Sequence, residues 1–175
     1  MKHLLYWLHE QEKKLFFWFN HSLHSSFADR FFGTLTYMGG ATFTILTTLL
    51  VGLLAKGAWS MAGWQSLAAL AISHIPVAII KKTFKRKRPY LVLSTVNLHK
   101  NPLKDHSFPS GHTTAICSII FPFIYVAGWL ALILIPIALL VAMSRMYLGQ
   151  HYPSDCVAGG LIGTVMSLWM IAVFS

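Results

Sequence analysis

The chain has 175 residues, of which 55% are hydrophobic and only 11% charged, and its mean hydropathy is +0.59. That composition excludes a soluble globular domain and places the chain among integral membrane proteins. The net charge of +9 does not point to nucleic acid, because the basic residues stand beside apolar segments and no soluble domain presents them as a groove. Anionic lipid or a phosphate ester is the partner they suit.

Met1 to Ser26 sets Lys2, Glu10, Glu12, Lys13 and Lys14 among Leu4, Leu5, Trp7, Leu8, Leu15, Phe16, Trp18 and Phe19. The apolar residues recur at helical spacing, while the central charges forbid both a membrane span and the uninterrupted core of a signal peptide. Two readings stand equally: an amphipathic helix lying in the interface, or a helix packed on the end of a bundle. His3, His9, His21 and His24 read as interfacial polar residues.

Phe31 to Leu54 and Ala58 to Ile80 are uncharged runs, each longer than the ~20 residues needed to cross the hydrocarbon core. Both are predicted to span, as an antiparallel hairpin turning at Lys56 and Gly57, with Trp59 placed for an aromatic belt. His74, inside the second run, reads as hydrogen-bonded to a neighbouring helix rather than as a proton relay.

After Ile80 the character changes, and Lys81, Lys82, Lys85, Arg86, Lys87 and Arg88 crowd one short stretch. For most of them a juxtamembrane role, setting topology and meeting anionic headgroups, is sufficient. Lys81 and Arg88 stand about two turns apart and on one face if the helix continues, and two cations on one face can grip one phosphate. Pro89 ends or redirects that helix. Tyr90 to Phe108 follows as a polar loop containing Asn97, His99, Asn101, Pro102, Asp105 and His106, long enough to act as a lid.

Thr113 to Met143 holds no charged residue and is too long for one span. With the break at Gly128-Trp129, spans are predicted at His112 to Ala127 and Leu130 to Leu148, kinked at Pro122 and Pro136. Cys156 to Phe174 closes the chain. The expected fold is all-α: a polytopic membrane helix bundle of about five spans in one domain, residues 31–175, preceded by the interfacial helix over 1–26. Cys117 and Cys156 lie within or at the edge of apolar segments and read as filler rather than a disulfide. Counting crossings brings the basic stretch, Pro109 to His112, and Ser144 to Asp155 out on the same membrane face. Every Lys and Arg except Lys56 falls on that face, which the positive-inside rule puts in the cytoplasm.

In order and spacing, Lys81 with Arg88-Pro89, then Pro109-Ser110-Gly111-His112, then Ser144-Arg145 with His151 and Asp155, resemble the three-part signature of the type 2 phosphatidic acid phosphatase superfamily, in the branch of membrane lipid phosphatases. The resemblance implies His151 as a nucleophile that forms a phosphohistidine. It implies Asp155 as the partner that fixes the attacking tautomer, one turn on if a helix begins at His151. His112 is implied as the general acid and base. Lys81, Arg88 and Arg145 would neutralise the phosphoryl oxygens, with Ser110 and the amides of Gly111 and His112 as a helix N-terminal anion site. No cofactor or metal is implied, since Asp155 and Asp105 are the only acids near the site and cannot form a two-metal cage.

The implied substrate is a lipid phosphate, phosphatidylglycerophosphate or phosphatidic acid first and undecaprenyl diphosphate close behind. Many bacterial relatives work on the outer membrane face, opposite to the charge bias. A rival of another class is a non-catalytic headgroup binder or carrier, which explains the three cations but not the pairing of His151 with Asp155. The pattern sets no oligomeric state.

Overall fold

The computed structural model describes residues 2–98 and 102–174, so His99 and Asn101 of the predicted loop lie outside the described residues. The order is α1 (Lys2–Phe17) with a π turn at Trp18–Ser22, α2 (Ser26–Leu35) with a 3-10 turn at Thr36–Gly39, α3 (Ala41–Leu54), α4 (Ala58–Phe84), α5 (Pro89–Val92), α6 (Gly111–Val126), α7 (Ala131–Tyr147) and α8 (Pro153–Phe174). No strand occurs among the described residues. Among the described residues, three helical stretches are long and apolar enough to cross a membrane: Ala58–Val92, Gly128–Tyr147 and Pro153–Phe174.

The other two predicted crossings are modified. Phe31 to Leu54 is not one helix: Ser26–Gly39 and Ala41–Leu54 meet at a 52° bend. Ser25 caps the first piece by accepting from the Ala28 amide at 3.1 Å, and the chain turns at Gly39-Gly40. A Cβ on Gly39 would stand 2.8 Å from the His112 carbonyl oxygen and 2.8 Å from Val141. The bend therefore seats the chain directly on α6 and α7. Helix α6 is a short apolar helix of 16 residues, about 24 Å long at 1.5 Å per residue, and so falls short of a ~30 Å hydrocarbon core.

Helix α6 can be short because protein surrounds it. Leu70 of α4, Ala115, Ile116, Ile119 and Ile120 of α6, and Ala138 and Val141 of α7 form one buried cluster. Ser66 donates to the Ile119 carbonyl at 2.8 Å and Ser118 to Ser73 at 2.9 Å, satisfying hydroxyls that have no water to turn to. Against α8 the approach is closer. A Cβ on Gly159 would come within 2.5 Å of the Ser110 carbonyl oxygen, and one on Gly163 within 2.4 Å of that of Thr114. Small residues one turn apart are what let two membrane helices touch backbone to backbone. The outer faces carry exposed Ile79, Leu132, Leu139, Leu161, Val165 and Trp169, as a lipid-facing bundle requires.

Helix α1 packs on the end of the bundle, with Phe16 fully buried and Tyr6, Trp7, Leu8 and Trp18 exposed. His74 bonds within its own helix, its Nδ1 lying 2.9 Å from the Leu70 carbonyl oxygen; the neighbouring-helix partner expected from sequence is not the one it has. Cys117 and Cys156 are both free thiols.

Candidate active site

The polar motifs converge where α4, α6, α7 and α8 end on the same side. Helix α4 stops at Phe84 because Lys85 adopts a left-handed conformation, φ 45°. Lys81 and Arg88 therefore do not share a continuing helix face, as the sequence suggested: Lys81 sits in the last turn of α4 and Arg88 in the extended residue before Pro89. They meet nonetheless, on Asp105. Lys81 Nζ lies 2.5 Å from Asp105 Oδ2, and Arg88 Nη2 donates to Asp105 Oδ1 at 2.6 Å.

Arg88 is fully buried, and each edge of its guanidinium is used. Nε donates to the Asp105 carbonyl at 2.8 Å, while Nη1 donates to the Gln150 carbonyl at 2.9 Å and stands 3.1 Å from His151 Nε2. A guanidinium can only donate, so Nε2 is the unprotonated nitrogen and the imidazole hydrogen sits on Nδ1. Asp155 Oδ2 is 3.4 Å from that Nδ1. Nδ1 forms no hydrogen bond at this distance, and the contact becomes an ion pair only when the ring is protonated. Because α8 begins at Pro153, His151 precedes the helix, and Asp155 faces it from the first turn rather than along a shared helix face.

Burial holds the His151 imidazole down at about 4, with the charges of Arg145 and Arg88 adding to the effect and Asp155 opposing it. The ring is thus neutral at physiological pH. Asp105 behaves oppositely: partial burial pushes its carboxyl up, but the hydrogen bond and charge of Lys81 and the charge of Arg88 outweigh this and hold it at about 2.

Arg145 is buried, with Nη1 donating to Thr36 at 2.6 Å and Nη2 to Gln150 Oε1, while its Nε has no partner among the described residues. Ser110 is buried at the N-cap of α6, accepting from the Thr113 amide at 3.4 Å and hydroxyl at 3.0 Å, and its own amide donates to the Asp155 carbonyl at 2.9 Å. A Cβ on Gly111 would meet open space, and the first-turn amides of Gly111 and His112 are donors a helix leaves without internal partners. His112 is the second residue of α6, two after the Ser110 cap, with its carbonyl oxygen against Gly39. All eight site residues predicted from sequence thus come together at one end of the bundle.

With that geometry, a family model described as the PAP2 superfamily matches residues 62–175. This chain belongs to the PAP2 superfamily. Bacitracin transport permease protein BcrC of Bacillus licheniformis is 35% identical over 108 residues, covering 60% of this chain and 52% of that protein. An undecaprenyl-diphosphatase of Sulfolobus acidocaldarius is 29% identical over 114 residues, covering 65% and 55%. The chain spans about half the length of these curated relatives. The crystal structure of LpxE from Aquifex aeolicus superposes with a TM-score of 0.78 at 27% identity, covering 91% of this chain and 93% of that one.

Around the PAP2 motifs the structure adds residues that sequence reasoning passed over. Arg86, assigned to the juxtamembrane cluster, donates to Asp155 Oδ1 at 2.7 Å. Ser107 donates to Asp155 Oδ2, and the Tyr152 amide does so at 2.8 Å. Gln150 and Thr36 hold Arg145. Only Arg86 carried a signal, its place in the basic run. The loop expected as a lid is tied down in its described parts: Tyr90 donates to the Leu103 carbonyl at 2.8 Å, and Asn97 exchanges hydrogen bonds with the buried Asn20. Beside the site, a 490 Å³ apolar cavity opens among Thr113, Cys117, Ile120, Met143, Met146 and Cys156. Among the described residues no three His, Cys, Asp or Glu side chains are grouped to hold a metal ion.

Proposed function

We propose that this PAP2 chain hydrolyses a lipid phosphate ester without a metal, through a phosphohistidine on His151. The observation that carries the reading is the contact of Arg88 Nη1 with His151 Nε2 at 3.1 Å, which identifies Nε2 as the unprotonated, potentially nucleophilic nitrogen and sets it beside a cation. Nε2 attacks phosphorus, and the bond to the lipid oxygen breaks with its electron pair going to that oxygen. His112 gives the leaving oxygen a proton, then takes one from the water that cleaves the phosphorus–nitrogen bond. Asp155 holds the hydrogen on Nδ1 and stabilises the imidazolium as it forms.

Lys81, Arg88 and Arg145 take up the charge on the phosphoryl oxygens, together with Ser110 at the N-cap and the amides of Gly111 and His112. The unpartnered Nε of Arg145 supports that role. The apolar cavity beside Thr113 suits the hydrocarbon chain of phosphatidylglycerophosphate or phosphatidic acid, and anionic lipids would surround the basic face. A second reading, undecaprenyl diphosphate, is favoured by the activity in the name of the Sulfolobus relative. The charge bias favours the cytoplasmic face of the cell membrane for this site, against the outer face on which many bacterial relatives work, and residues 1–26 are read as part of a single phosphatase domain.

The test is phosphate release from short-chain phosphatidic acid and from a polyprenyl diphosphate in detergent with chelator present. Turnover should persist with chelator and vanish in His151→Ala while lipid binding survives. Binding without turnover in the wild-type protein would favour a carrier, and a requirement for added magnesium would refute the mechanism.

A further inference from the structure

Arg86 lies between two carboxylates from opposite ends of the chain. Its Nη1 donates to Asp155 Oδ1 and its Nη2 to Glu12 Oε2, each at 2.7 Å, and its guanidinium carbon stands 4.2 Å from the centre of the Tyr152 ring. Nη1 also reaches the Ser154 hydroxyl at 2.7 Å. Glu12 spends its other oxygen on the first turn of α8, accepting from the Ser154 amide at 3.1 Å and from the Ser154 hydroxyl. Neither member of the Glu12–Arg86 pair is a solvated surface group, with side-chain exposures of 14% and 25%, and Asp155 beyond them is fully buried.

A buried carboxylate takes its orientation from its donors. Oδ2 of Asp155 is shared by the Tyr152 amide, Ser107 and the approach of His151 Nδ1, while Arg86 supplies the ionic contact at Oδ1. Without Arg86 that oxygen loses its charge partner in a buried setting, where an unpaired charge is costly. Without Glu12 the guanidinium keeps its charge but loses the anchor that aims it. Phe16, one turn after Glu12 on α1, is buried against Tyr152 with ring centres 5.8 Å apart, so apolar packing fixes the same helix at the same place.

We propose that Glu12 and Arg86 are positioning residues that hold Asp155 in the orientation that aligns the His151 nucleophile, which makes the N-terminal helix a working part of the site. The proposal rests on the reading of His151 as nucleophile. Glu12 lies outside the stretch that matches the superfamily, 62–175, and its helix turns Tyr6, Trp7 and Leu8 outward. One helix thus presents apolar side chains on one face and reaches Asp155, through Arg86, on the other.

The test uses the full chain in detergent with short-chain phosphatidic acid, comparing Glu12→Gln, Glu12→Ala, Arg86→Gln and Arg86→Lys with wild type and His151→Ala. Glu10→Gln is the control on the same helix, since Glu10 pairs with Lys13 at 2.9 Å and not with the site. Removing a residue that orients a metal ligand typically costs about 10-fold or more in activity, and the lower end of that scale is carried over to the partners of Asp155. The expected result is an approximately 10-fold fall in kcat for Glu12→Gln and Arg86→Gln with KM changed by less than about twofold, partly recovered in Arg86→Lys. In an Asp155→Asn background, Glu12→Gln should cost nothing further, because its effect runs through Asp155.

A kcat for Glu12→Gln within about twofold of wild type, a loss carried by KM, or an equal loss in the Asp155→Asn background would each overturn the proposal. Those outcomes leave wild-type turnover intact and so spare the phosphatase reading. A wild-type protein without turnover would overturn both.

Discussion

Asp105→Asn should tighten anion binding. The carboxylate of Asp105 joins Lys81 at 2.5 Å and Arg88 at 2.6 Å, the two cations assigned to the substrate phosphate, so an incoming phosphate competes with it. Its carboxyl is held at about 2 against an ordinary 3.8, a difference worth about 2.4 kcal/mol at ~1.36 kcal/mol per pKa unit. The side chain is 52% exposed, and solvent screening cuts that to about 1 kcal/mol, or about fivefold in an equilibrium constant.

The sign follows from the depressed pKa. The ion-paired form is fully present above the ordinary carboxyl value and is lost only as pH falls through about 2, so the competition is constant across neutral pH. The assay is inhibition of phosphate release by inorganic phosphate between pH 6 and 8. Asparagine keeps the shape and removes the charge, and the inhibition constant should fall about fivefold at every pH. An unchanged or larger constant would show that the Asp105 carboxylate does not stand in the phosphate's way.

Four further outcomes are expected. Because burial holds the His151 imidazole at about 4 rather than 6.5, its ring, assigned by NMR against His151→Ala, should stay neutral as pH falls from 7 to 5 and protonate only near 4; a titration centred near 6.5 would contradict this. Arg145→Ala should lower kcat/KM by about 2 to 4 kcal/mol, the scale of a lost oxyanion donor, as read by steady-state kinetics. Gly163→Ala puts a Cβ 2.4 Å from the Thr114 carbonyl oxygen and should lower stability by about 1 to 3 kcal/mol, measured by thermal denaturation in detergent. A cysteine at Lys104, in a cysteine-free background, should resist an impermeant maleimide in intact cells and react after permeabilisation; labelling of intact cells would move the site to the outer face.

The site was legible because its chemistry is written in short local runs: Ser110-Gly111-His112 and Ser144 through Asp155 carry their spacing in the chain itself. The helices were legible because charge is excluded from them. The break in the first crossing was hidden, since Gly39-Gly40 reads equally as a helix-packing pair, and what bends the chain there is its contact with His112 and Val141, far away in sequence. The end of α4 at Lys85 was hidden too, for a lysine in a left-handed conformation has no compositional mark. Arg86 was misread because its partners, Glu12 and Asp155, lie at opposite ends of the chain, and a basic run looks the same whether its members face headgroups or a buried carboxylate. The role of Asp105 was the reverse case, a residue seen in sequence whose placement on two cations depends on how the loop folds back.

If the site takes a lipid phosphate as proposed, a carboxylate seated on Lys81 and Arg88 also weighs one headgroup against another. The bulk phospholipids around such a bundle are phosphodiesters with one negative charge on phosphorus, whereas a phosphomonoester carries up to two. A singly charged headgroup gains less from displacing the resident acid, and a doubly charged one gains more. At about fivefold the resident acid biases the choice rather than closing the site, and Asp105→Asn should narrow that preference.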